Sequence, residues 1–238
     1  MCGRYASYSS IGALASHFEV DDVRTEPLPM RWNVAPTLEI YSVIERKGTR
    51  RLGQLRWGLV APWAEDPDKG PLAFNARAET LDRNRMYRDA FAKRRCIIPA
   101  DGFYEWRKLG PKSKQPYFIR RTDGEPLALA GIWSYWRPKD DSDAEPLYSA
   151  TIVTTVPDAV VANLHDRMPV VLEKDAWAAW LDPEEQDVTA LRELLVPAAR
   201  SPLETYPVST MVNDVRNDGP SLVDPEEPAD QELTLPGV

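Results

Sequence analysis

The second residue of the chain is a cysteine, followed by Gly3 and Arg4. Cysteine is small enough to permit cytoplasmic removal of a preceding methionine. Removal would leave Cys2 with an α-amine and a β-thiol on adjacent carbons. The amine titrates near ~7.7–8.0 and the thiol near ~8.5, so both nucleophiles are expected to be partly available at neutral pH without heavy activation. A 1,2-aminothiol has a distinctive reaction: the amine condenses with an aldehyde to an imine, and the thiol then closes a five-membered thiazolidine ring. Gly3 lets a ligand or another backbone approach closely, and Arg4 offers a permanent cation with a fork suited to phosphate. A cysteine at a bare chain end would carry no such meaning, since most termini are arbitrary and poorly ordered.

Three further clusters carry chemistry-bearing types. The run Phe74-Asn75-Ala76-Arg77-Ala78-Glu79-Thr80 precedes Arg83, Arg85 and Arg88, and between Arg77 and Arg95 seven bases stand against three acids. Arginine suits phosphate where geometry matters. Asn75 is an uncharged donor able to orient a carbonyl or hydroxyl. The bland alternative is a solvated helix face with ion pairs such as Arg85–Asp89. In Asp101-Gly102-Phe103-Tyr104-Glu105-Trp106, strand alternation puts Phe103 and Glu105 on one face and Tyr104 and Trp106 on the other. Glu105 is then either a surface glutamate or a carboxylate among aromatics, and burial would raise its pKa and poise it for proton transfer. His165 opens His165-Asp166-Arg167-Met168-Pro169 at a loop end, where a neutral imidazole beside an amine could shuttle protons. His17 reads as structural or exposed. Trp32 and Trp57 read as core, whereas Trp63, after Pro62 in a polar loop, could stack on a base. Cys2, Cys96, His17 and His165 lack paired metal-ligand spacing, so no metal and no cofactor is expected.

Many short elements must position these groups. Helices are predicted at 9–18, capped by Ser9 or Ser10, at 83–94, 157–163, 174–181 and 186–195. Strands are predicted at 39–46, 52–60, 95–99, 102–107, 116–121, 127–136, 147–154, 168–173 and 205–209. Without strict strand–helix alternation the fold class is α+β. The 22 prolines among 238 residues argue against a helical bundle. One domain is read over 1–223, followed by an acidic, proline-containing tail over 224–238 that composition marks as disordered. No apolar run reaches membrane-spanning length, no charged-then-apolar leader opens the chain, and two cysteines make no disulfide framework. The expected compartment is the cytoplasm.

Net charge is −8, which on its face argues against nucleic acid. Its distribution argues otherwise. Residues 1–121 hold 22 Lys+Arg against 14 Asp+Glu, and residues 122–238 hold 7 against 23. A chain so polarised can present one basic face while remaining acidic overall.

These motifs, in this order, resemble the SOS response-associated peptidase family, whose members shield abasic sites by crosslinking to single-stranded DNA. The resemblance covers nearly the whole chain. It is carried by Met1-Cys2-Gly3-Arg4, Asn33-Val34-Ala35-Pro36, Trp57-Gly58, the Asn75–Thr80 run, the Asp101–Trp106 run, His165–Pro169 and Pro207-Val208-Ser209. It implies a single domain with a mostly antiparallel, barrel-like sheet and peripheral helices. It further implies Cys2 as nucleophile after loss of Met1, Asn75 orienting the sugar aldehyde, Glu105 as acid/base and His165 assisting proton transfer. Arg4, Arg77 and Arg85 match phosphate-contacting positions, and Pro36, Trp63 and Trp106 match positions lining the DNA cleft. The implied partner is single-stranded DNA with abasic sites, met at replication by a monomer that is nucleoid-associated when engaged. The implied activity is a thiazolidine crosslink with lyase-like Schiff-base chemistry and self-removal of Met1. The competing readings are an N-terminal-nucleophile hydrolase, a peptidase or amidotransferase whose Cys2 thiol attacks an amide, and a non-covalent single-strand binder.

Overall fold

A computed structural model describes residues 2–70, 72–111, 113–141, 143–197 and 202–228. In chain order it contains β1 (Tyr5–Ser7), α1 (Ile11–His17), β2 (Asp22–Val23), β3 (Arg31–Val34), β4 (Glu39–Arg46), β5 (Thr49–Trp57), β6 (Asn75–Arg77), α2 (Arg88–Lys93), β7 (Arg95–Ala100), β8 (Gly102–Lys108), β9 (Lys114–Arg121), β10 (Leu127–Trp136), β11 (Leu147–Thr155), β12 (Met168–Pro169), α3 (Trp177–Leu181), α4 (Val188–Glu193) and β13 (Leu203–Pro207). The class is α+β, as the pattern predicts. Ser10 caps α1 by accepting from the Ala13 N–H, which satisfies one of the unpaired donors at a helix start.

Strands β11, β10, β7, β4 and β5 are hydrogen-bonded in that order, and a parallel pairing of β5 with β11 closes them into a five-stranded barrel. Closure removes the unpaired edges that an open sheet would expose. Alternation divides the side chains of these strands between two cores. Val43, Leu52, Ile97, Ala130 and Val153 pack with helix residues Leu14, Phe91, Trp180 and Leu191. Ile40, Trp57, Ile98, Leu129, Ala150 and Ile152 pack instead with Cys2, Tyr5, Val34, Phe103 and Ile119. The latter residues belong to, or adjoin, a second sheet in the order β13-β9-β8-β1-β3.

That second sheet positions the chemistry. The amino-terminal strand β1 lies between β8 and β3, with Tyr5 opposite both Phe103 and Val34. The Tyr104 N–H donates to Arg4 O at 3.0 Å and the Asp101 N–H to Ala6 O at 2.8 Å. Continuing this register places Gly3 opposite Glu105. Gly102 starts β8 where a Cβ would lie 2.3 Å from Phe118 Cζ and 2.7 Å from Ile119 O.

Several expectations need correction. The helix predicted over 83–94 is α-helical only from Arg88, because the Asn84 side chain accepts the Met86 N–H at 2.9 Å and makes a local turn. The segment 157–163 is turns, organised by Asp158 Oδ1 accepting from the Val160 and Val161 N–H groups. The strand predicted over 168–173 shortens to Met168–Pro169, with Val171 joining Leu129 through an isolated bridge. Trp57 is fully buried, but Trp32 is only half-buried and stacks on Tyr8. Of the segment assigned to the tail, residues 229–238 lie outside the described residues. Its start is tied down: Pro225 bridges Val208, and the Glu226 N–H donates to Pro207 O at 2.9 Å. No described helix is long and apolar enough to cross a membrane.

Gly102→Ala should test how tightly β8 is held. Overpacking against backbone and a buried ring is expected to cost about 2 kcal/mol or more and to lower Tm by roughly 5 °C. Calorimetric unfolding checks this; an unchanged Tm would refute the packing argument.

Candidate active site at the amino terminus

Cys2 is wholly buried. Its carbonyl accepts from Asn75 Nδ2 at 2.8 Å, and its thiol lies 3.7 Å from Arg4 O. Asn75 reaches it because β6 runs parallel to β11, with Asn75 opposite Ile152. The other end of that amide, Asn75 Oδ1, is buried with no hydrogen-bond partner among the described residues. A buried acceptor left open beside the amino terminus can take a hydroxyl or amine proton from a bound reactant.

Glu105 is 1% exposed. As alternation predicts, it shares a strand face with Phe103, which packs in the core with Cys2, while Tyr104 and Trp106 pack on the opposite side. Burial pushes the Glu105 carboxyl up to about 7, opposed by the positive charge of the chain's amino terminus. Burial also pushes the Cys2 thiol far above its ordinary range, helped by Glu105. The expectation that the thiol is partly available at neutral pH without heavy activation is therefore corrected. In this enclosed position the thiolate is penalised, and the thiol must surrender its proton to a base.

His165 is partly exposed and its Nδ1 accepts the Arg167 N–H at 3.0 Å, with Asp166 Oδ1 at 2.7 Å from the same nitrogen. Burial, then the charge of the amino terminus, lower its pKa, and Asp166 opposes them. The amino terminus thus acts electrostatically on the Cys2 thiol, Glu105 and His165 together.

The basic and aromatic candidates fall in two groups. Arg4 is half-buried, its Nη1 donating to Asn33 Oδ1 at 3.0 Å and Val212 O at 2.8 Å. Trp106 donates its indole N–H to Asn213 Oδ1 at 2.7 Å and carries the Lys114 ammonium 4.9 Å from its ring centroid. Arg77, beside Asn75 on β6, is exposed. Arg85 is also exposed, and its guanidinium sits 4.5 Å from the Trp63 ring centroid. It does not make the predicted pair with Asp89, which bonds Arg88 instead. Trp63 is 39% exposed, and Pro36 is half-buried on the loop after β3. Not all of the basic cluster faces outward. Arg95 is buried and donates to carbonyls of Phe91, Ala92, Trp180, Asp182 and Glu185. His17 is structural, against Phe18, Trp177 and Glu125.

Sequence reasoning missed Asn33 and the turn that holds Arg4 and Trp106, although Asn33 opens a quoted motif. It also missed the two-point ion pair of Arg167 with Glu79, which joins the His165 and Asn75 segments. Among the described residues, no group of three or more His, Cys, Asp or Glu is placed to hold a metal ion.

The family model described as SOS response associated peptidase (SRAP) matches residues 1–215. The chain is 39% identical over 225 residues to the abasic site processing protein YoqW of Bacillus subtilis, covering 94% of this chain and 99% of that one. It is 36% identical over 233 residues to the abasic site processing protein YedK of Escherichia coli, covering 94% and 100%. A crystal structure of a Bacteroides thetaiotaomicron protein shares the fold with a TM-score of 0.81 at 21% identity, covering 95% of this chain and 100% of that one.

The raised Glu105 carboxyl makes a stability prediction. The folded state holds this proton more tightly than the unfolded chain does, so ionising Glu105 destabilises the fold as pH rises from 4.5 to about 7. Urea melts across that window should show Glu105→Gln gaining on the parent by up to about 3 kcal/mol, with no further gain above it. Parallel pH profiles for the two proteins would show that the carboxyl is not perturbed.

Proposed function

This chain belongs to the SOS response associated peptidase family, and from that membership and the enclosure of Cys2 with Glu105 we propose that it traps abasic sites in single-stranded DNA as a covalent thiazolidine. Kinship with abasic site processing proteins supports processing of abasic lesions in DNA. The finer reading rests on one observation above all: a cysteine at position 2 is buried together with a carboxyl held near neutrality.

After loss of Met1, the neutral Cys2 amine attacks C1′ of the ring-opened deoxyribose. A C–N bond forms and the carbonyl becomes a carbinolamine hydroxyl. Protonated Glu105 delivers the proton that lets this hydroxyl leave as water, giving a protonated imine (an iminium). The Glu105 carboxylate then takes the thiol proton and sulfur bonds to the iminium carbon, whose electron pair moves to the nitrogen that has kept its own proton. The ring contains N, Cα, Cβ, S and C1′, and the net change is loss of one water without oxidation or reduction. A group titrating near 7 serves both as acid and as base at neutral pH. His165 assists proton transfer at the amine, and Asn75 Oδ1 accepts from the carbinolamine or the sugar hydroxyl. Arg4, Arg77 and Arg85 hold the strand's phosphates, with Pro36, Trp63 and Trp106 against its bases. Holding amine and aldehyde together is worth up to about 7–11 kcal/mol in favourable cases.

The raised thiol weighs against the hydrolase reading. There the thiol must attack first, whereas here it acts after the amine has made a better electrophile. Removal of Met1 by the chain itself, with Glu105 as base, belongs to the same proposal.

An abasic single-stranded oligonucleotide should give an adduct that survives heat and detergent. Cys2→Ala should abolish that heat-stable adduct. Cys2→Ser should keep the amine, so borohydride should still trap its imine while the unreduced adduct no longer resists heat. Denaturing gels and intact mass read both results. A parent chain that retains Met1 in cells, or a Cys2→Ala adduct as stable as the parent's, would overturn the proposal.

A further inference from the structure

Arg4 and Trp106 share a support that the proposed chemistry does not use. Asn33, on β3 beside β1, is 2% exposed. Its Oδ1 accepts from Arg4 Nη1 at 3.0 Å. Its Nδ2 faces three backbone carbonyls of one loop: Asn217 O at 2.9 Å, Asp214 O at 3.0 Å and Val212 O at 3.3 Å. The amide can point only one way here, because its oxygen must meet a guanidinium and its nitrogen must meet carbonyls. That loop opens with the 3-10 turn Thr210–Asn213, capped by Ser209 and anchored by buried Val212 against Ala6, Tyr104 and Phe118. Farther along, Asp218 accepts the Trp32 N–H at 2.7 Å.

Adjacent residues of this turn hold both side chains. Val212 O accepts from Arg4 Nη1 at 2.8 Å, and Asn213 Oδ1 accepts the Trp106 indole N–H at 2.7 Å. Both hydrogens of Arg4 Nη1 are thereby engaged. Its Nε and Nη2 have no hydrogen-bond partner among the described residues and remain for an outside anion. Trp106 is tethered at its polar edge, and its ring carries the Lys114 ammonium, so the indole is held in one direction together with a cation. A guanidinium and an indole fixed in direction before a ligand arrives lose less rotamer freedom on binding.

We infer that the turn Thr210–Asn213, sewn down by Asn33, is a clasp that presets Arg4 and Trp106 to grip one strand of nucleic acid. This rests on the reading above that these two side chains meet DNA. Asn33, Val212 and Asn213 are positioning residues: they touch no reactant, and they act through the two side chains they hold.

The test separates gripping from chemistry by using a single-stranded oligonucleotide with a tetrahydrofuran site, which has no aldehyde. Binding is followed by fluorescence anisotropy over a range of salt. Arg4→Ala and Asn33→Ala are each expected to raise Kd about tenfold. The double variant should also raise it about tenfold rather than a hundredfold, because the two residues act as one unit. Both single variants should lower the salt slope by about 0.7, the loss of one phosphate contact to a single strand. A merely structural Asn33 would reduce the fraction of active protein while leaving Kd and slope of the remainder unchanged, and that result overturns the clasp. If Arg4→Ala binds like the parent, the DNA reading of Arg4 fails and takes the clasp with it. If only Asn33→Ala binds like the parent, the clasp alone fails.

Should Asn33→Ala not fold, the exposed Asn213 gives a gentler variant. Asn213→Ala is expected to raise Kd about threefold and to add nothing in a Trp106→Ala background. A Kd equal to the parent's, or an effect that persists without Trp106, overturns the inference.

Discussion

The site depends on an amino terminus threaded into the middle of a sheet. Chain ends usually lie on the surface, because burying them places charge and unpaired backbone in a poor solvent. Here β1 is paired on both sides, by β8 and β3, and its backbone groups are satisfied at Tyr104 and Asp101. That pairing draws Cys2 into the core between barrel and second sheet. The same enclosure raises the Cys2 thiol and the Glu105 carboxyl together, while the charge at the amino terminus restrains both. Burial therefore does two things that pull against each other. It disfavours the thiolate, and it supplies, close by, a carboxyl whose proton affinity lies near neutrality.

The surroundings divide between groups that hold the scaffold and groups left to meet a ligand. Arg95 and Arg94 are spent on carbonyls, and Arg167 joins Glu79 and Thr154 across three segments. Arg77 and Arg85 stay exposed, and Arg4 keeps only part of its guanidinium engaged. A basic half in sequence thus becomes a smaller basic face in space, because buried guanidinium groups satisfied by carbonyls contribute little outside. The pairing of Arg85 with Trp63 adds a cation over an exposed ring, a combination that suits a strand of alternating phosphates and bases.

Barrel closure explains why so short a strand as β6 can be placed accurately. β5 and β6 both pair in parallel with β11, one at Ser149–Ala150 and the other at Ile152–Thr154. Three residues are too few to stabilise a strand by themselves. Pairing with a strand already fixed by the barrel, and a bond from Thr154 Oγ1 to Ala76 O at 3.3 Å, settle where Asn75 points.

The long alternating strands were legible in the sequence: β4, β7, β8, β10 and β11 lie within a residue or two of their expected bounds, and alternation put Glu105 on the same face as Phe103. That Cys2 would carry an amine and a thiol on adjacent carbons once Met1 is lost follows from its residue type alone. What alternation could not show were β1, β3 and β6, whose short, mixed sequences carry no period and become strands only through partners elsewhere in the chain. The same limit applied to proton affinities. Cys2 read from its residue type alone is a thiol titrating near neutrality, and it departs from that only because the fold removes its water. The types of the candidate residues were therefore set by local composition, whereas their burial, their neighbours and the direction in which Arg4 is held were set by long-range pairing, since desolvation and register belong to neighbours brought from other parts of the chain.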